Sequence, residues 1–224
     1  MELLNEIFPG LNGDITNYNL PEWGDASRPW EILEKKGEYA IEKQIKNMKI
    51  NFTSCHDELE NVSINIDGGP VYVHPSAIID NFVMIEGPCF IGEGAMIKHA
   101  AYLRKGSWIC KNAKVGHCSE IKNSIMLPGS AAPHFNYVGD SIVGFNANLG
   151  AGVKISNVRN DKMTIFVNLH NKERVDSGLK KFGALIGDNS AIGCNVVSNP
   201  GTILEPGVNI NPNETLKGWI SKND

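Results

Sequence analysis

The sequence has no long apolar segment and no long run of basic residues. None of its apolar stretches approaches the roughly 18 residues that a membrane-spanning helix needs. No Lys/Arg run exceeds two residues and the net charge is −4, so neither nucleic acid nor a membrane surface is an expected partner. The first residues, MELLNEIFPG, lack the basic and apolar parts of a signal peptide, which predicts a cytoplasmic protein. The expected partner is a small molecule.

Paired cysteines and the common nucleotide-binding motifs are also missing. The five cysteines are odd in number and contain no CxxC pair, so neither a disulfide framework nor a structural zinc site is predicted. The sequence contains no Walker motif, no phosphate-cradling glycine-rich loop and no Ser/His/Asp order. Any chemistry therefore has to come from another arrangement of polar side chains.

What the sequence does contain is an aliphatic residue at every sixth position. The ten consecutive positions are Val73, Ile79, Ile85, Ile91, Ile97, Leu103, Ile109, Val115, Ile121 and Leu127. A period of six fits neither an α-helix nor a long alternating strand, but it fits short strands joined by turns around a three-sided prism. The pattern predicts an all-β, left-handed parallel β-helix in which residues eighteen apart stack at about 4.8 Å.

The repeat is interrupted twice and does not extend to the amino terminus. Residues 71–224 are assigned to the β-helix, with inserted loops expected near 132–142 and 157–185. Residues 1–70 carry a helical signal, in which Ser27 is a candidate cap. This segment is predicted to be a helical cap or arm that covers the open end of the first coil.

The eighteen-residue spacing places Arg104 and Lys122 on neighbouring coils, both pointing away from the core. Two stacked cations repel each other unless an anion bridges them, and a phosphate group suits both side chains. The alternative is two solvated surface charges. His134 follows the coil of Glu120 by fewer than eighteen residues, and a carboxylate near an imidazole can fix the tautomer that a general base needs. The alternative for His134 is an ordinary loop histidine.

Other polar residues leave several interpretations open. Tyr137 and Asn148 can hydrogen-bond sugar hydroxyls, although structural roles are equally common. His99 and His117 are eighteen residues apart, so they are predicted to stack, as ligands do in metal sites on β-helices. One coil further the spacing leads to Phe135 and supplies no third ligand. No metal is therefore expected.

Two stretches, RKGSWICKNAKVGHCSEIKNS and PHFNYVGDSIVGFNANLGAG, resemble a known family. They are similar to the acetyltransferase domain of bifunctional UDP-N-acetylglucosamine pyrophosphorylase/glucosamine-1-phosphate N-acetyltransferase and to related sugar-1-phosphate nucleotidyltransferases. The resemblance implies acetyl-CoA-dependent N-acetylation of an amino-sugar phosphate by a homotrimer. The LxAGxGTR signature of the nucleotidyltransferase domain does not occur, so this chain is not expected to make nucleotide sugars.

The resemblance also implies roles for individual residues. The catalytic pair would be His134 as general base and Glu120 as its support. The residues implied in substrate binding are Arg104, Lys122, Tyr137 and Asn148. Those implied near the acetyl-CoA thioester are Ala151, Asn157 and Cys194, the last at a position where the family has serine. The alternative function is a non-catalytic or regulatory β-helix trimer that binds sugar phosphates or nucleotide sugars.

Overall fold

Three parallel sheets form the sides of a prism in the computed structural model, which describes residues 2–16, 18–25, 27–50, 59 and 61–222. The strands of side A are Ser63–Asn65, Met84–Glu86, Tyr102–Leu103, Glu120–Lys122, Tyr137–Gly139, Lys154–Ile155, Val197–Ser198 and Thr215–Leu216. The strands of side B are Val71–Val73, Cys89–Ile91, Ser107–Ile109, Ser124–Met126, Ile142–Val143, Ala184–Ile186, Thr202–Leu204 and Trp219–Ile220. The strands of side C are Ile78–Ile79, Met96–Ile97, Lys114–His117, Ala131–His134, Asn148–Leu149, Ala191–Ile192 and Asn209–Ile210. The predicted left-handed parallel β-helix is confirmed.

The core of the prism is a column of aliphatic side chains contributed by all three sides. Within each side these residues pair in register from one coil to the next, as Leu103, Ile121 and Val138 do on side A. All three are fully buried. Burying one such side chain stabilises the fold by roughly 1.5–3 kcal/mol, so the column accounts for much of the stability of the coils.

Two coils contain seventeen residues instead of the predicted eighteen. Met126 pairs with Ile109 on one side and with Val143 on the other, so each step along side B is one residue short. Met126 therefore occupies the core position that the six-residue count assigned to Leu127. Leu127 is buried as well, but in a second apolar cluster outside the prism.

In both coils the turn between sides A and B is one residue shorter than the predicted repeat. Asn123 and Asp140 both have positive φ angles there, a conformation that Asn and Asp adopt more readily than most residues. The predicted inserted loop near 132–142 is wrong, because this stretch forms regular strands on all three sides. What resembled an insertion was two shortened corners.

The amino-terminal segment contains short helical elements and not one continuous helix. These elements are α1 (Leu3–Ile7), α2 (Ile41–Asn47) and 3₁₀ turns at Pro9–Asn12 and Pro29–Leu33. Ser27 does not cap the turn at Pro29, because the capping position is Arg28 and has no side-chain hydrogen bond. The first strand, Ser63–Asn65, precedes the predicted start of the β-helix at residue 71. Within the described ranges no helix is long and apolar enough to cross a membrane.

The described residues of this segment between 2 and 50, which we call the arm, pack along side B. That the segment covers the open end of the first coil stays a prediction. The outward positions of side B are apolar, and the buried ones are Phe90, Trp108, Ile125, Ile142, Leu185 and Ile203. They join one cluster with arm residues such as Trp30 and Ile41. An apolar outer face this large has to be covered, and the arm covers part of it.

The long interruption after Ile155 folds into a β-hairpin with antiparallel strands Phe166–Asn168 and Arg174–Asp176. Its buried residues Ile165, Val167 and Phe182 belong to the same outer cluster as the arm. We call residues 157–183 the insertion. The insertion and the arm therefore cover side B together, and one contact between them is the hydrogen bond from Arg28 to the carbonyl of Ser177.

The described cysteines are all free. Cys89 and Cys110 are buried, and burial raises the pKa of both thiols. Cys118 and Cys194 are exposed. Cys55 lies outside the described residues.

Candidate functional site

The outer face of side A carries polar side chains on consecutive coils. Strand residues flanking the core column point outward, which places Tyr102 and Arg104 on one coil, Glu120 and Lys122 on the next, and Tyr137 on the third. The pairing of Leu103 with Ile121 confirms the predicted stacking of Arg104 over Lys122. None of these five residues belongs to the outer apolar cluster that the arm and the insertion form with side B.

Arg104 forms an ion pair within the chain, so Arg104 and Lys122 are not two unpaired cations. Its guanidinium Nη1 donates to Glu120 Oε1 at 2.8 Å, and this hydrogen bond raises the pKa of Arg104. The guanidinium also lies over the ring of Tyr102, 5.8 Å from its centroid. In the single chain Glu120 thus supports Arg104, and within the described ranges no hydrogen bond joins it to His134.

Lys122 has its own carboxylate, which the six-residue pattern did not reveal. Its Nζ donates to Asp140 Oδ2 at 2.7 Å, and Asp140 is almost fully buried. Burial lowers the pKa of Lys122, while the attraction of Asp140 acts in the opposite direction. Recognising the seventeen-residue coil would have shown that Asp140 stacks next to Lys122.

Asp140 accepts hydrogen bonds from three side chains. Asn123 Nδ2 donates to its Oδ1 at 2.9 Å, and Asn157 Nδ2 donates to its Oδ2. Asn157 also donates to the phenol oxygen of Tyr137 at 3.2 Å. Burial raises the pKa of this tyrosine, with the charge of Asp140 as the next cause. Asn157 therefore lies in the Lys122 network, whereas the resemblance implied a place near the thioester with Ala151 and Cys194.

His134 is exposed at the end of a side C strand, beside the corner between sides C and A. Asn136 fixes its backbone by accepting from the His134 amide at 2.9 Å, and the same asparagine donates to the carbonyl of Gly150 on the next coil. Within the described ranges no hydrogen bond involves the His134 ring. The imidazole is therefore held in place by its backbone and is open to a ligand.

His99 and His117 form a ladder of two stacked histidine rings, with their centroids 5.4 Å apart. The backbone register pairs His134 with His117, while the ring that contacts His117 on this side is that of Phe135. The sequence-based spacing led to Phe135 because it assumed an eighteen-residue coil. The described residues nevertheless contain no group of three or more His, Cys, Asp or Glu side chains placed to hold a metal ion.

The remaining candidate residues lie around the same corner. Ala151 and Cys194 occupy equivalent positions on consecutive coils, where the amide of Asn195 donates to the carbonyl of Ala151 at 2.8 Å. Asn148 points outward from side C, between Ala131 and Ala191 on the neighbouring coils. The structure thus brings His134, Ala151 and Cys194 to one corner, Arg104 and its partners to side A, and Asn148 to side C.

Comparison with known proteins supports the relationship predicted from the sequence. Residues 85–172 match the family model described as the GMPPB C-terminal domain. Over 219 residues the chain is 34% identical to the bifunctional protein GlmU of Methanococcus aeolicus, covering 90% of this chain and 44% of the relative. It is also 37% identical over 179 residues to the GlmU of Methanocaldococcus jannaschii, covering 80% and 41%. The chain is therefore similar to part of the GlmU proteins, as the sequence predicted.

The match covers only part of the length of the GlmU proteins. The chain spans less than half the length of these curated relatives. Among solved structures it is similar to the polysialic acid-specific acetyltransferase NeuO, with 14% identity, a TM-score of 0.39 and coverage of 73% of this chain and 81% of the other. A second match is the acetyltransferase domain of PglB from Neisseria gonorrhoeae in complex with acetyl coenzyme A, with 14% identity, a TM-score of 0.30 and coverage of 72% and 49%.

Proposed function

We propose that the chain is an acetyl-CoA-dependent N-acetyltransferase that acts on an amino-sugar phosphate, with His134 as general base. The observation that carries the proposal is the position of His134, an exposed imidazole with a braced backbone at the corner next to the polar face of side A. The relationship to the bifunctional GlmU proteins adds support, because it concerns the same stretch of sequence.

In the proposed reaction the amine nitrogen of the sugar attacks the carbonyl carbon of the thioester. His134 accepts the proton that the amine loses, and the carbon–sulfur bond breaks as the amide forms. The departing thiolate then takes up a proton from the imidazolium, so the products are the N-acetyl sugar and free coenzyme A. Only the neutral imidazole can act as the base.

The acceptor would lie on side A and the thioester at the corner. Arg104 offers its Nε, a buried donor that lacks a partner among the described residues, to the phosphate or a sugar hydroxyl. Tyr137 lies on side A and Asn148 on side C, the two sides that meet near His134, and both side chains can bind sugar hydroxyls. Acetyl-CoA would approach Ala151 and Cys194, whose small side chains leave room at the corner. Asn157, through Tyr137 and Asp140, would hold the acceptor side in place.

We also propose that the protein acts as a homotrimer. Phe82 and Phe135 are 64% and 58% exposed and end the histidine ladder in edge-to-face contacts with His99 and His117. Two exposed aromatic rings beside an open corner favour a second subunit there, which would supply the missing wall of the site. Light scattering tests this directly, since a monomer has a mass of 24.5 kDa and a trimer three times that.

The test of the activity is an acetyl-transfer assay with acetyl-CoA and glucosamine-1-phosphate. The product should be followed by mass, because exposed Cys118 and Cys194 would react with a thiol reagent. Accumulation of the N-acetyl sugar phosphate, and its loss in His134→Ala, would support the proposal. If calorimetry shows that acetyl-CoA does not bind, the non-catalytic sugar-phosphate-binding alternative replaces it.

A further inference from the structure

A cleft next to Lys122 is lined by four lysines that come from outside the repeat. Lys35 and Lys36 belong to the arm, directly after the 3₁₀ turn at Pro29–Leu33. Lys180 and Lys181 belong to the end of the insertion. Leu33 and Leu179 supply apolar parts of the lining, and Asp140 lies at its inner end.

The cleft is continuous with the polar network on side A. Asp140 is the buried partner of Lys122, and Lys35 and Lys181 lie close enough to lower the pKa of Lys122 by repulsion, after the larger effect of burial. Asn123 donates both to Asp140 and to the carbonyl of Leu33, which attaches the arm to this corner. The four lysines therefore cluster around the cleft that contains Asp140.

The charges around the cleft do not balance. Lys122 is neutralised by Asp140, and Lys35 is paired with Glu42 at 3.6 Å. Among the described residues no salt bridge engages Lys36, Lys180 or Lys181. The remaining carboxylate in the lining is Glu34. Two positive charges are thus left over, which matches a phosphoryl group or a diphosphate linkage.

We infer that this lysine cleft binds the phosphoryl part of a ligand through Lys36, Lys180 and Lys181. The surplus of positive charge lies here and not at Arg104 and Lys122, whose charges are already matched within the chain. A phosphate held here would lie beside the face that we propose for the sugar. Two sources fit the chemistry, namely a sugar phosphate and the diphosphate of coenzyme A.

Charge reversal of exposed lysines tests the inference without disturbing the core. Inorganic pyrophosphate is the probe, and its affinity is measured by calorimetry over a range of salt concentrations. In K180E/K181E the affinity should fall by at least about tenfold, and the dependence on salt should become weaker. The control K43E/K49E makes the same change in net charge on other exposed arm residues, and its affinity should stay within about twofold of the wild type.

Each outcome decides for or against the cleft. Loss in K180E/K181E alone supports it, whereas equal loss in both variants would mean that only the overall charge matters. Absence of pyrophosphate binding to the wild-type chain would also overturn the inference. Titrations of glucosamine-1-phosphate and coenzyme A into the same variants identify the source. The result is independent of catalysis, because a chain that binds pyrophosphate here and transfers no acetyl group refutes only the proposed function.

Discussion

Side A and side B have the same inward column and opposite outward chemistry. On side B the outward residues Phe90 and Trp108 are buried beneath the arm, whereas on side A the corresponding positions carry Tyr102 and Glu120. Both sides contribute aliphatic residues to the interior in the same way. The difference teaches that the repeat builds the prism, while the outward residues decide which side is covered and which can accept a ligand.

The largest effect is expected on the covered side. Trp108→Ala should lower the free energy of unfolding by about 3–5 kcal/mol, because it removes a buried indole that packs on Phe90 and donates to the carbonyl of Asn19. Denaturant unfolding measures the loss. Tyr102→Ala, an outward position on side A, is the matched control and should lose less than about 1 kcal/mol. Equal losses would show that the two sides do not differ in the way described.

The next largest effect is expected on turnover, at the corner between sides C and A where His134 lies. His134→Ala should lower turnover at least about a hundredfold with little change in stability, because general-base catalysis is typically worth that much and the ring is exposed. The measurement is the acetyl-transfer rate at saturating substrates. His117→Ala changes the stacked histidine one coil away and should keep most of the activity. Near-normal turnover in His134→Ala would rule out the proposed base.

The polar face of side A should show a smaller, binding-specific defect. Arg104→Ala should raise the KM for the sugar phosphate by about one to two decades, the usual cost of a lost charge-assisted contact, and leave acetyl-CoA affinity unchanged. Lys122→Ala should also cost stability, because it leaves Asp140 buried without its cation. The double variant Lys122→Met/Asp140→Asn removes that penalty. An unaltered KM in both Arg104→Ala and the double variant would leave these cations without a binding role.

The smallest expected effect is a pH dependence of the free energy of unfolding, caused by a carboxyl group between the arm and the β-helix. Burial raises the pKa of Asp188 to about 6, although its carboxylate accepts from the amides of Gly10 in the arm and Phe145. The folded chain therefore holds this proton more tightly than the unfolded chain, and stability from this group falls as pH rises from about 4 through 6. Between pH 5 and 7 the wild type should lose about 1 kcal/mol that Asp188→Asn does not lose. Identical pH profiles in thermal unfolding would contradict this assignment.

The column of aliphatic residues made most of the fold predictable. Six-residue periodicity has few structural solutions, so strands, sides and stacking followed from counting. Counting failed where a corner was shortened, and the error placed Leu127 in the core in place of Met126. It also missed the first strand, Ser63–Asn65. A one-residue deletion in a turn leaves no hydrophobic signature, because Asn123 and Asp140 are ordinary turn residues in the sequence.

The sequence by itself determined the prism, its inward column and the candidate residues around His134, because these depend on short-range periodicity and on local motifs. Only the tertiary structure decided that Glu120 pairs with Arg104, that Asp140 neutralises Lys122, and that the arm runs along side B. These contacts join residues from different coils or from outside the repeat, so their partners depend on the register of the coils and on which apolar face needs covering. Neither the register nor the face that is covered can be found by counting positions along the sequence.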